Sequence, residues 1–288
     1  MQPFRWNITR REQLGRLVER APGNVYASFA EDIRLASARV IAAAGDAGLL
    51  FVGRSPETLF DYLSGILAET SWFDRLLLLN ISMRYMSPDD IERENPASIS
   101  AFAEHLAALG IAPEQIASAP QPLALVDLVS SGSTFKHVTE LILGLAKQDG
   151  IDRNAVRRRM RFVGLTWRRK NSPNTYRWQQ HADWLEKFPG TVVRNVSIPG
   201  RLWDYLGNRQ EKVIPTNPPW RWADAAIAGP PREEEHLLAL RRALDIYDLG
   251  SSKLERQKFS ERLARQQAMR EPWCRGLVGE LRKKSAQA

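Results

Sequence analysis

The sequence predicts an α/β protein: a mostly parallel, doubly wound sheet with N-terminal helices before it and a mainly helical C-terminal extension after it. Three observations carry that prediction. Short apolar runs at residues 49–53, 75–82, 123–129 and 161–167 have the length and near-continuous apolar content of strands buried on both faces. The stretches between them place apolar residues at helical spacing, and strands separated by helices imply parallel pairing through right-handed crossovers. Small or polar residues follow each run, on the edge where an open parallel sheet gathers its loops.

The elements follow in order. Thr9-Arg10-Arg11-Glu12 has the form of a capping box and predicts a helix to about Arg20, broken by Ala21-Pro22-Gly23-Asn24. Residues 27–44 form a second helix, with Phe29, Ile33, Ala36 and Val40 on one face. Gly45-Asp46-Ala47-Gly48 turns into the first strand. Ser55 as N-cap and Pro56 as first helical residue then open a helix over 56–69. After the second strand, 75–82, a long loop from Met83 to Asn95 precedes a helix that starts at Pro96 and is capped by Gly110. The third strand, 123–129, leads to a helix over 134–148 and a short helical turn at 154–159. Strand 161–167 follows, then a short strand at 192–196 and an extended connector at 215–220. From Pro231 the chain is helical, with Glu233-Glu234-Glu235 at the positive end of the helix dipole. Gly250-Ser251-Ser252 is a break before a charged helix over 253–269. The organisation is N-terminal helices (1–45), an α/β core (46–170), a Trp-rich lid or subdomain (171–230) and a helical extension (231–288).

Composition narrows the class. The 288 residues suffice for one large domain or two small ones, and 43% hydrophobic with 26% charged residues is the balance of a soluble globular protein. No apolar stretch is long enough to span a bilayer, and the N-terminus lacks the apolar core of a signal peptide. The single cysteine, Cys274, excludes an intrachain disulfide and a cysteine-cluster metal site. A cytoplasmic location is the expectation. With 41 Lys and Arg against 33 Asp and Glu, the net charge of +8 suits an anionic ligand or partner. His105, His137, His181 and His236 are scattered without metal-ligand spacing. His137, just inside a helix start, lies nearest a candidate ligand loop but reads more simply as a surface residue. There is no GxxxxGK[ST], GxGxxG, HExxH or GxSxG.

The most informative segment runs from Leu123 to Thr134. An apolar strand carries one carboxylate, Asp127, and passes through Ser130-Ser131-Gly132-Ser133-Thr134 into a helix. Such a loop offers backbone N–H groups and hydroxyls to a phosphate, and Asp127 could hold ribose hydroxyls or a metal ion. Earlier in the chain, Gly53-Arg54-Ser55 has the same setting after an apolar strand. Gly53 permits close backbone approach and Arg54 brings charge. Ordinary strand-to-helix turns also use such residues, so order and setting matter more than the strings.

The segment resembles the phosphoribosyl-pyrophosphate (PRPP) motif of type I phosphoribosyltransferases, in which four apolar residues, two acids and two apolar residues precede a Thr/Ser-rich loop around a Gly. Asp127 matches the second acid, Leu128 and Val129 the apolar pair, and Ser130 to Thr134 the loop; Val126 stands where the family has its first acid. The resemblance spans about residues 49–167. It departs from the family at Met83 to Pro122, which replaces a strand-pair loop.

The resemblance implies a phosphoribosyltransferase-like enzyme. Ser130, Ser131, Gly132, Ser133 and Thr134 would hold the 5′-phosphate, Asp127 the ribose, and Gly53, Arg54 and Ser55 the pyrophosphate. Arg84 is a candidate further phosphate ligand and, with Asp127, the catalytic pair. Mg²⁺ would enter with the ligand rather than on a metal site of the protein, and the acceptor is unassigned. Dimers are common in the resembled family, so a homodimer is one option, but the sequence does not set the oligomeric state. The alternative is a non-catalytic nucleotide-sensing or nucleic-acid-binding protein on the same fold. Six of the nine tryptophans lie between Trp167 and Trp222, interleaved with basic residues such as Arg168, Arg169 and Arg221. They offer either a surface for nucleic acid or, more simply, packing for a subdomain. The loop from Asn171 to Tyr176 could lie over the ligand.

Overall fold

The computed structural model describes residues 5–18, 25–83, 86–170, 176–227 and 229–287, with side chains to residue 283. Five strands, β1 (Gly48–Val52), β2 (Leu76–Leu79), β3 (Leu123–Leu128), β4 (Met160–Trp167) and β5 (Val192–Ile198), form one all-parallel sheet in the order β2-β1-β3-β4-β5. Alternation along the strands sends side chains to two different cores. Leu49, Phe51, Ala124 and Val126 pack on one face, Leu50, Val52, Leu123 and Leu125 on the other.

Helices cover both faces. On the first lie α1 (Phe29–Ala44) and α2 (Glu57–Leu67). On the second lie α3 (Pro88–Glu94), α4 (Ala97–Ala108), α5 (Pro113–Ser118), α6 (Ser133–Gln148) and α7 (Arg153–Arg159). After β5 come α8 (Gly200–Asp204), α9 (Glu234–Ser251), α10 (Lys253–Ala264) and α11 (Pro272–Gln287), and Phe259, Leu263, Leu277 and Leu281 of the last two join the first core. No helix among the described residues is long and apolar enough to cross a membrane.

Three local expectations are corrected. The N-terminal helix is instead two short 3₁₀ turns, Arg11–Gln13 and Gly15–Val18. Thr9 does not cap it: its N–H and hydroxyl both donate to Asn7 (2.9 and 2.6 Å), and Gly15, at φ 46°, interrupts a continuous helix. The segment expected as a loop from Met83 to Asn95 contains α3. Ser87 caps it, its hydroxyl accepting from the Asp90 N–H while the Asp90 carboxylate accepts from the Ser87 N–H (3.0 Å). The break expected over Gly250-Ser251-Ser252 falls at Ser252 alone, because α9 runs through Gly250 to Ser251.

Gly250 serves packing instead. At its crossing with α2, a Cβ on Gly250 would lie 2.4 Å from the Tyr62 carbonyl oxygen, and one on Gly65 would lie 2.1 Å from that of Tyr247. Two bare backbones therefore meet there, and no side chain fits between them. Ser252, one residue past α9, ends the helix by capping α10. We expect Gly250→Ala and Gly65→Ala each to destabilise the protein by about 1–3 kcal/mol in urea unfolding. An effect no larger than that of an exposed-helix Gly→Ala change would contradict the close crossing.

Candidate functional site

Chain direction creates the site. After β1 the chain turns into α2 on one face of the sheet; after β3 it turns into α6 on the other. Neighbouring parallel strands whose connections leave in opposite directions open a crevice at their carboxyl ends. A cleft of about 560 Å³ occupies that position. Gly53, Arg54 and Ser55 form one wall, and Asp127, Leu128, Ser133 and Thr134 form the other. Ser82 and Met83, after β2, add a third side.

A strap from the C-terminal half closes the cleft. Lys212, Thr216, Pro218, Pro219 and Trp220 line it. Two buried amides hold this strap to the strand ends. Gln210 donates to the carbonyls of Arg54 (2.9 Å), Ser55 (2.8 Å) and Leu206 (2.8 Å), and it accepts from the Thr58 hydroxyl. Asn217 donates from its side chain to the Asn80 carbonyl (2.8 Å), while its backbone carbonyl accepts from Ser82 N–H (2.9 Å) and Trp222 Nε1 (3.0 Å). The Arg54 guanidinium also reaches the strap, donating to the Ile214 carbonyl (3.2 Å) and Thr216 Oγ1 (2.8 Å).

The α6 loop is fixed from below. Gly132, the N-cap, has φ 78°, and a Cβ there would lie 2.4 Å from the Trp178 ring. Trp178 is buried, stacked on Trp184 at 5.8 Å and tilted against Phe135 at 5.7 Å. Its indole also crowds Gly164 of β4, where a Cβ would lie 2.7 Å from Nε1. Gly132 brings no capping side chain, so the first turn of α6 presents backbone N–H groups beside Ser133 and Thr134.

Asp127, Lys212 and Arg54 bring the ionisable groups of the cleft, and burial lowers the pKa of Arg54. Asp127 is 8% exposed. Burial pushes its carboxyl up to about 7, against the opposing pull of the Leu128 N–H (2.7 Å), the Thr134 hydroxyl and the Lys212 charge. Lys212 donates from Nζ to the Leu206 (3.1 Å) and Arg54 (3.3 Å) carbonyls, and burial lowers its pKa. Beneath the Arg54 loop, Glu57 is raised, chiefly by burial, while Arg5 opposes the shift. Arg5 in turn pairs with Asp61 at 2.6 Å. A cleft with one buried acid and two cations whose charged forms burial disfavours has the perturbed titration typical of functional sites.

The structure therefore brings together residues from both loops read in the sequence: Gly53, Arg54 and Ser55 with Asp127, Ser133 and Thr134. Ser130 and Ser131 do not line the cleft, and Gly132 shapes the loop from within the fold. Ser131 Oγ lies 3.3 Å from Ser133 Oγ. Arg84 lies outside the described residues, as does 171–175 of the expected covering loop. Trp167 to Arg169, at the carboxyl end of β4, lie on the same edge of the sheet but do not line the cleft. The crevice lies between β1 and β3, and Trp167 instead stacks on Trp203 at 6.0 Å. Trp178 and Trp222 are buried packing residues, the latter stacked on Phe102 at 5.4 Å. Lys212, Gln210 and Asn217 carry no sequence signal: they sit in an irregular connector and gain meaning only from what lies across the cleft.

Among the described residues, no cluster of three His, Cys, Asp or Glu side chains is arranged to hold a metal ion. Of the described residues lining the cleft, Asp127 alone brings a carboxylate.

Asp127→Asn should separate cost from use. Between its ordinary 3.8 and about 7, the folded protein keeps a proton on Asp127 that the unfolded chain releases, so stability falls as pH rises through that window. Asparagine keeps the acceptor oxygen and removes the charge. We expect the variant to be more stable than the parent by about 1 kcal/mol or more at pH 8, with the gap closing toward pH 4, in urea titrations. A gap independent of pH would show that Asp127 is not a desolvated carboxyl.

Searches against protein-family models, curated proteins and solved structures give no significant match to this chain.

Proposed function

We propose that the cleft binds a phosphorylated ribose, PRPP or a nucleotide, and that the protein acts as a phosphoribosyltransferase-like enzyme on an unassigned acceptor. One observation carries the reading. Two loops some 75 residues apart, each with the make-up of an anion cradle, form facing walls of one cleft, and one wall carries a buried carboxylate. A phosphate at Ser133 and Thr134 would meet the N–H groups and positive dipole of α6. Asp127 would then face the ribose hydroxyls. Arg54, Lys212 and the backbone at Gly53 would face the pyrophosphate and stabilise charge as it leaves, with the acceptor attacking the anomeric carbon.

The donor set fits a magnesium ion borne by the ligand. One carboxylate plus substrate phosphates is an ordinary Mg²⁺ environment, and the ion would neutralise charge on the pyrophosphate. The protein's own part is to bind the phosphates, orient the ribose on Asp127 and exclude water beneath the strap.

A second reading has its own support. Val126, in the place of the resembled family's first acid, is fully buried in the core on the opposite sheet face from Asp127. A cleft with a single carboxylate can serve a nucleotide sensor that binds without turnover. Pyrophosphate release with a panel of nucleobase acceptors separates the two.

Calorimetry with PRPP, ribose 5-phosphate and nucleoside monophosphates, with and without Mg²⁺, tests the ligand class. We expect at least one to bind, with affinity falling about tenfold or more in Thr134→Val and in Lys212→Ala. The absence of binding by all of them would sink the proposal. Affinity should also rise from pH 6 to 8, because the ribose is held by the ionised form of Asp127. It should fall again at higher pH as Lys212 loses its proton. A flat profile would remove both groups from the site.

A further inference from the structure

Among the described residues, some partly buried arginines are paired with a carboxylate and others, such as Arg54 and Arg161, donate to backbone carbonyls. Arg34 pairs with Glu255, Arg75 with Asp46 and Arg5 with Asp61. Along the far edge of the sheet, arginines without a described carboxylate partner are gathered together. An open groove of about 700 Å³ runs beside β5, lined by Arg39 of α1, Arg168 just past β4, Arg194 of β5 and the amides of Gln266 and Gln267. No carboxylate of the described residues lines it. Arg39 donates to the Ser197 carbonyl (2.9 Å) and Arg194 to that of Val193 (3.5 Å). Among the described residues, none of the three arginines has a carboxylate within ion-pair distance. Burial first, and then the charges of Arg168 and of Arg262 (itself paired with Glu31 at 3.8 Å), lower the pKa of Arg39. Like charges are gathered here without compensation, which costs stability in the free protein.

Two neighbouring features define what could compensate them. β5 is an edge strand, and no described strand pairs with its outer side, so backbone polar groups border the groove. Trp167, the last residue of β4 and directly before Arg168, is 54% exposed although one ring face stacks on Trp203 at 6.0 Å. A planar indole held rigid from behind, one residue before Arg168 and outside the groove's own lining, together with guanidinium forks in the open groove, matches a flexible strand that carries phosphates and bases alternately. The groove is also larger than a single phosphate needs.

We propose that this groove binds single-stranded nucleic acid, with Arg39, Arg168 and Arg194 on the phosphodiester backbone and Trp167 stacking a base. The proposal stands apart from the β1/β3 cleft: it shares no residue with it and holds whichever small ligand the cleft takes.

Fluorescence anisotropy with a labelled oligouridylate of about twelve nucleotides tests it on the full chain, at low salt and across a salt series. We expect binding that weakens at least about tenfold in the double variant Arg168→Glu/Arg194→Glu, with the salt slope reduced by about 1.4, some 0.7 for each phosphate no longer neutralised. The exposed pair Lys253→Glu/Lys258→Glu changes net charge equally and should leave affinity within about twofold. Should the Glu pair fail to fold, Arg168→Gln/Arg194→Gln provides the same comparison. Trp167→Leu should weaken the single strand by up to about tenfold while barely affecting a duplex of the same sequence. Absence of binding at low salt, or equal loss in both charge-reversal pairs, would overturn the proposal. So would competition by polyglutamate as strong as by the oligonucleotide, which would assign the groove to an acidic protein.

Discussion

Two buried side-chain amides hold the cleft edge of this protein together. At the carboxyl ends of β1 and β2, the backbone leaves the sheet before any helix can satisfy it, so carbonyls at Asn80, Arg54 and Ser55 need donors. Gln210 and Asn217 supply them from more than a hundred residues downstream. An unpaired buried carbonyl costs about 1–3 kcal/mol, so neither amide can leave without replacement. Each ties a sheet loop to the same strap, and the cleft exists because the strap is tied at two points rather than one. Arg54 adds a third tie, while remaining in the wall of the cleft.

The opposite wall is set by steric exclusion rather than hydrogen bonding. Trp178 fills the space under Gly132 and against Gly164 so closely that neither position has room for a methyl group. The left-handed turn at Gly132 is thereby supported from beneath, and the start of α6 is aimed at the cleft. Between these rigid walls, Asp127 and Lys212 are kept with their charges disfavoured by burial. That arrangement costs the empty protein stability and leaves both groups disposed to gain from a charged ligand.

Much of the architecture was legible in the sequence because it rests on local signals. Apolar runs bounded by Gly, Ser and Pro marked β1 to β4 within a few residues, and strand-helix alternation implied the parallel pairing now seen. The two cleft loops were legible for the same reason, since Gly53 to Ser55 and Asp127 to Thr134 are contiguous strings at strand ends. The failures share a cause as well. Thr9 had the right letters for a cap, but Asn7 competed for its N–H and hydroxyl. Ser87-Pro88-Asp89-Asp90 was a helix start concealed in an acidic stretch. Gly250 read as a breaker because its role depends on Gly65, far away in sequence. Lys212, Gln210 and Asn217 left no local trace, and the tryptophans read as a group turned out to have different roles: Trp178 and Trp222 in the core, Trp167 at the surface.

The strap also dictates an order of assembly. The loops at 53–55 and 80–82 leave the ribosome early, yet the amides that satisfy them follow some 130 to 160 residues later. Closing loops of that length is entropically expensive, and contacts so distant in sequence form late in folding. During synthesis the first strands must therefore wait, with their carboxyl ends hydrated and their cleft unformed. A chain halted just before residue 210 would have all five strands but not the ties that shape the cleft. The cleft is thus complete only once Gln210 and Asn217 have been made and have folded back onto the strand ends.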